Sequence, residues 1–333
     1  MRNLWISLGL LAVLATSACA AVEAPAAVPT TPPPTVEPTA EPETGAVDRI
    51  LDGDCDRLVA ADLVSTDLGA TLALATEPWV EELEYASIPQ LGGIYCVWRG
   101  PGPGADDPSL SVVVLPSRAL TTPRPVGTEC SEGAFCSFGA KAAGFQFFGS
   151  MHVAGGEVAA VQASADALAR RVSSSLESVA QPAPFAAEGL WGAAIDCATL
   201  DAGRVIPTAL GDPSIKGYAY GGDSEPNYGF YAALEAAGST RCDWLQVQDG
   251  SGASVSVGLM PGGAWGRADI EALGDATAAS VPGFERTLVR GDTLYAFTAV
   301  NRLDLTLDAA GTALTLADFY PAATALAAEL DAP

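Results

Sequence analysis

The chain has 333 residues, with 40 acids against 16 bases, a formal net charge of −24. The acidic surplus is even, with 17 acids and 8 bases from Val47 to Phe185 and 19 and 7 beyond. No basic patch interrupts it, so nucleic acid and anionic headgroups are poor partners.

At the N-terminus, Arg2 is the only charge before an apolar run from Leu4 to Leu14. The small residues Ala15, Thr16, Ser17 and Ala18 follow. A basic start, an apolar stretch and a small-residue cleavage site make a secretory signal over 1–18. The run is shorter than the roughly 20 residues a membrane-spanning helix needs. Ala15-Thr16-Ser17-Ala18-Cys19 resembles the lipobox of bacterial lipoproteins, which implies cleavage before Cys19 and a diacylglyceryl group on its sulfur. The seven cysteines agree with this, because an odd count in an exported chain needs an account of the leftover thiol. An ordinary secretory signal is the alternative.

Ala20 to Ala46 holds seven prolines, five threonines and four glutamates, with no aromatic or basic residue. Such a composition cannot bury apolar surface and reads as a disordered stalk over 19–46. At about 3.1 Å per residue it reaches at most roughly 80 Å.

The remaining chain exceeds the usual size of one domain, and it repeats. Asp54, Cys55, Leu58, Ala60, Thr66, Leu68 and Gly69 return as Asp196, Cys197, Leu200, Ala202, Thr208, Leu210 and Gly211, at a constant offset of 142. Cys96-Val97-Trp98 returns as Cys242-Asp243-Trp244, and the strand-like run Ser111 to Pro116 meets Val255 to Pro261. Three blocks in one order indicate a duplicated domain over 47–181 and 187–333. Each copy reads as a helix beside the first cysteine, then a strand carrying Cys-x-Trp, then further strands. In the first copy, Leu58, Leu63 and Val64 give that helix its spacing. Hairpin signals lie at Gly155-Gly156 after Phe145–Val153 and at Gly291-Asp292 before Leu294. A closing helix carries Leu168, Val172 and Leu176, with Ser164 as its cap. A second starts near Asp318 and carries Leu326 and Leu330. The expected class is α+β, each repeat an antiparallel sheet with helices on one face.

Six cysteines allow fifteen pairings, and the repeat selects Cys55–Cys96 and Cys197–Cys242, joining helix to strand. Cys130 and Cys136 remain and close a small loop of the first copy. An oxidising exterior makes such bonds expected. Metal ligation is disfavoured by the wide spacings and the single histidine, His152.

With Cys55, Leu58, Cys96 and Trp98, and again Cys197, Leu200, Cys242 and Trp244, the chain resembles actinobacterial lipoproteins of unknown function. Related domains serve as extracytoplasmic sensors of some mycobacterial serine/threonine kinases. The resemblance implies a membrane-anchored place on the outer face of the envelope and a disulfide-bonded fold, more than an activity.

No catalytic, metal or cofactor motif stands out. Asp52-x-Asp54-x-Asp56 opens like a calcium loop, but Arg57 and Leu63 occupy its glycine and glutamate positions. Asp54 therefore reads as a helix N-terminal acid. Ser150 and His152 share a strand face without a nucleophile elbow, so His152 reads as a surface strand residue. Glu81, Glu82 and Glu84 read as a solvated face, or as a source of paired carboxylates for a glycosidase. Tyr218, Tyr220, Tyr228 and Tyr231, among glycines, are candidate ligand-contact aromatics, with core capping as the alternative. Trp79 and Tyr85 hold the equivalent stretch of the first copy. The reading is a non-enzymatic binding or interaction protein, its partner a cell-wall component, peptide or envelope protein. The alternatives are a carboxylate-based hydrolase of wall polymers and an accessory lipoprotein.

Overall fold

A computed structural model describes residues 47–331 apart from 76–78, 103–106, 122–125, 132–134, 154, 193–194, 199, 220–227, 246–251 and 310. Cys19 and Tyr220 lie outside the described residues. The first half runs α1 (Cys55–Leu58), α2 (Ala61–Leu68), β1 (Ala73–Leu74), α3 (Leu83–Gln90), β2 (Ile94–Arg99) and β3 (Ser109–Pro116). It continues with β4 (Gly127–Ser131), β5 (Phe135–Ala142), β6 (Phe145–His152) and α4 (Val158–Leu176). The second half runs α5 (Val205–Ala209), β7 (Tyr218–Ala219), α6 (Tyr228–Ala237), β8 (Thr240–Leu245), β9 (Ser254–Met260) and α7 (Arg267–Glu271). Then come β10 (Thr277–Ala279), β11 (Arg286–Arg290), β12 (Thr293–Phe297), β13 (Arg302–Asp308) and α8 (Tyr320–Leu330).

The class is α+β, with one antiparallel sheet in each half. Sheet A has the order β1-β2-β3-β6-β5-β4, and sheet B β7-β8-β9-β13-β12-β11-β10. Apart from the extra edge strand β10, the two orders coincide strand for strand. Registers coincide too: Cys96 faces Val112 as Cys242 faces Val257. Disulfides join Cys55 to Cys96, Cys130 to Cys136 and Cys197 to Cys242. The first links α1 to β2, whereas Cys197 sits in a turn, and the second-half helix starts only at Val205. There Asp201 accepts hydrogen bonds from the amides of Val205 and Ile206, and the helix starts eight residues after Cys197.

One face of sheet A buries Trp98, Val112, Phe147 and Met151 against α4, whose Val161, Ala165, Leu168, Val172 and Leu176 form one stripe at helical spacing. The equivalent face of sheet B packs Trp244, Val257 and Leu305 against Ala322 and Leu326 of α8. Helices do not stop at one face, as expected from the sequence; they cover both. The second faces share a helix pair that packs across both halves. First-half α3 carries Leu83 over Gly258 of sheet B, while second-half α6 brings Gly229 against Val113 of sheet A. Both helices end on a left-handed glycine, Gly92 (φ 77) and Gly238 (φ 66), which turns each chain into its Cys-x-Trp strand. The halves thus interlock into one compact unit.

Three local expectations are corrected. The hairpin preceding α4 turns at Ala143–Gly144, where φ is positive at both residues, and Gly155 instead leads into α4. That helix starts after Glu157, and Ser164 lies inside it, donating to the Asp67 carbonyl. The first-half N-terminal helix is two short ones broken at Val59, with Leu63 exposed. Asp54 does cap α1, accepting from the amides of Asp56 and Arg57.

Candidate functional site: two clefts where the halves meet

The first cleft, about 420 Å³, lies beside β2 and under α3. Tyr95 projects from β2 and Tyr85 from α3, because each is on its element's face toward the helix pair. Their rings stack with centroids 5.0 Å apart and planes 10° from parallel. Phe230 of α6 sets its edge against both, at 4.9 and 5.0 Å. Trp265, from a 3-10 turn at Gly263–Gly266 of the second half, closes one side. The guanidinium of Arg49 lies 5.5 Å from the Trp265 ring centroid, a cation–π contact. The Trp265 indole N–H is buried and has no partner within the protein. At the lip, Leu51 and Asp52 hold left-handed dihedrals (φ 54 and 58), a conformation costing roughly 1–2 kcal/mol per non-glycine residue. Aromatic faces beside a guanidinium suit binding of a small planar or ring-containing molecule.

The second cleft, about 320 Å³, lies between the start of α3 and sheet B. Here Glu82 is exposed, as a solvated face requires, but Glu81 and Glu84 are not. The side chains of Glu81 and Glu84 are each only 17 % exposed. Glu84 pairs with Arg241 at 3.4 Å, and Arg241 also meets Asp243 at 3.4 Å. Glu81 pairs with Arg290 and keeps its other oxygen, Oε1, buried without a partner. Behind them the fully buried Arg302 holds both oxygens of Asp304 at 2.7 Å and donates to the carbonyls of Val80 and Glu81. Burial lowers the Arg241 pKa, but Asp243 and Glu84 outweigh it and the net shift is upward. Burial pushes the Asp304 carboxyl up, against the lowering by Arg302. Burial with the nearby Asp304 charge drives the Tyr295 phenol to about 12. The hydroxyls of Ser256, Thr293 and Thr306 line the strand surface, the last two 3.0 Å apart.

The candidate aromatics do not converge. Tyr218 is exposed on β7, Tyr228 is half-buried beside the inner face of sheet A, and Tyr231 packs near Leu83 and Met260. Tyr85, Tyr95 and Trp265 form the aromatic cleft instead; only Tyr85 carried a signal in the sequence, through its place in the repeat. Ser150 bonds Ser111 at 2.8 Å, and His152 ends β6 half-buried, with Nδ1 buried and unpartnered. Among the described residues no three His, Cys, Asp or Glu side chains are grouped to hold a metal ion, and no helix is long and apolar enough to cross a membrane. Compared with protein-family models, curated proteins and solved structures, the chain has no match.

Proposed function

We propose that this is an exported lipoprotein, anchored through Cys19 on the outer face of the membrane, that binds a small ligand in the aromatic cleft without transforming it. The observation that carries the binding reading is the cleft lined by the stacked Tyr85 and Tyr95, the Arg49 guanidinium and Trp265 from the other half. The address rests on the N-terminal signal, the small residues before Cys19, and the resemblance to actinobacterial lipoproteins. The body is read as one domain duplicated, 47–181 and 187–333. The coincident strand orders, the repeated disulfides and the reciprocal contacts of α3 and α6 support this.

A wall-polymer hydrolase would need one carboxyl free to protonate a leaving group. Asp304 is the carboxyl of the polar cleft that burial shifts up, and both its oxygens are occupied by Arg302. Glu81 and Glu84 are each engaged by an arginine, Arg290 and Arg241. These contacts support binding over hydrolysis.

Two measurements test the reading. Cys19→Ser is expected to release the protein into the medium; a variant that stays in the membrane fraction defeats the anchor. Native mass spectrometry of the soluble body after incubation with an envelope small-molecule extract should show one retained ligand. That ligand should be lost from Trp265→Ala and from Tyr85→Ala. Equal retention by wild type and both variants, or conversion of the ligand, defeats the binding site.

A further inference from the structure

We infer that the polar cleft between α3 and sheet B is a second binding site, for a neutral polyhydroxylated molecule such as a saccharide. It is separate from the aromatic cleft and does not rest on it.

The molecule contains its own control. Arg241 faces Gly258, which faces Asp304, across β8, β9 and β13; Tyr95 faces Val113, which faces Phe148, across β2, β3 and β6. Glu84 and Phe230 each stand eight residues before the helix-ending glycines Gly92 and Gly238. The contact Glu84–Arg241 in one half is therefore Phe230–Tyr95 in the other. Where Phe148 helps seal α6 onto sheet A, Asp304 stands in sheet B. The equivalent seat on sheet A is made by the rings of Phe230 and Tyr95 with Val113 and Phe148, none of them charged. Ion pairs at the same place carry a desolvation cost that hydrophobic partners avoid. Sheet A does without a counterpart of the Glu84–Arg241 pair, so seating the helix does not require that pair at the cleft.

The lining selects the ligand. Glu81, Glu82, Glu84 and Asp304 face into the cleft with Arg241, so a bare anion is repelled. A metal ion lacks a grouped set of ligands among the described residues. A neutral polyol meets neither obstacle. Carboxylate and guanidinium, already locked in pairs, present fixed acceptors and donors, and the row Ser256, Thr306 and Thr293 supplies groups that both donate and accept.

The test uses the soluble body of the chain, with chitotriose and maltotriose as neutral probes and citrate and spermidine as charged controls. Ligand-observed NMR should show saturable binding of at least one trisaccharide below about 10 mM, a span covering millimolar affinity. Thr306→Val, nearly isosteric, and Glu84→Gln should each weaken it about tenfold, or 1.4 kcal/mol. Trp265→Ala should leave it unchanged, which separates this site from the aromatic cleft. Thermal unfolding verifies that each variant is folded, and Thr306→Val carries the test should Glu84→Gln not fold. The inference is overturned by absence of saturable binding for both trisaccharides, or by tighter binding of citrate or spermidine. Affinity unaltered in the folded variants, or lost in Trp265→Ala, also overturns it.

Discussion

Arg302→Met is expected to destabilise the protein by about 3–5 kcal/mol, the range for removing one partner of a buried ion pair. Arg302 is fully buried and makes four hydrogen bonds: two to Asp304 and one each to the carbonyls of Val80 and Glu81. Methionine fills much of the volume but supplies no donor, so a carboxylate and two carbonyls lose their partners at once. The loss should depend on pH. Burial already raises the Asp304 carboxyl above its ordinary value of 3.8, and without Arg302 it rises further. A carboxyl whose folded pKa exceeds its unfolded one costs stability above the folded value and nothing below the unfolded one. The gap between variant and wild type should therefore narrow as pH falls from 7 towards 4. Arg302→Met with Asp304→Leu should be more stable than Arg302→Met alone, since the uncompensated charge goes with it. Urea denaturation at the two pH values decides this; a gap that is constant or widens on acidification rules out Asp304 as its source.

Replacing Cys197 and Cys242 by alanine should cost about 4 kcal/mol in the chain-entropy account, given a sequence separation of 45. Cys55 and Cys96, separated by 41, should behave alike. Both bonds lie in cores shared with Trp98 or Trp244, so the alanines also leave packing defects. Cys130–Cys136 spans only 6 residues in a hairpin already paired as β4 and β5, and should contribute less, at most about 2.4 kcal/mol. Thermal unfolding with and without reductant provides the check. Reduced wild type should fall to the level of a variant lacking both long bonds. Unfolding of Cys197→Ala/Cys242→Ala at the wild-type temperature would show that the bond contributes nothing.

The sequence by itself determined the features whose cause is local or repeated in register. Cysteines recurring beside the same residue types, Cys-x-x-Leu and Cys-x-Trp, are enough to select one pairing, and the disulfides follow it. The stripe on α4 and the Asp54 cap are local: periodicity and a side chain reaching its neighbouring amides set them. Tertiary structure decided the clefts. Along β8, β9 and β13 the alternation of Cys242, Trp244, Val257 and Leu305 with Arg241, Asp243, Ser256 and Asp304 resembles a sheet with one wet face. A helix from the other half lies over part of that polar face. Glu81 and Glu84 therefore meet arginines distant in sequence, and their spacing along the chain carries no trace of it. Trp265 reaches Tyr85 and Arg49 through the same packing across both halves. A pattern of hydropathy fixes which face of an element is buried, but the identity of what buries it depends on chain path, and here the path crosses between halves.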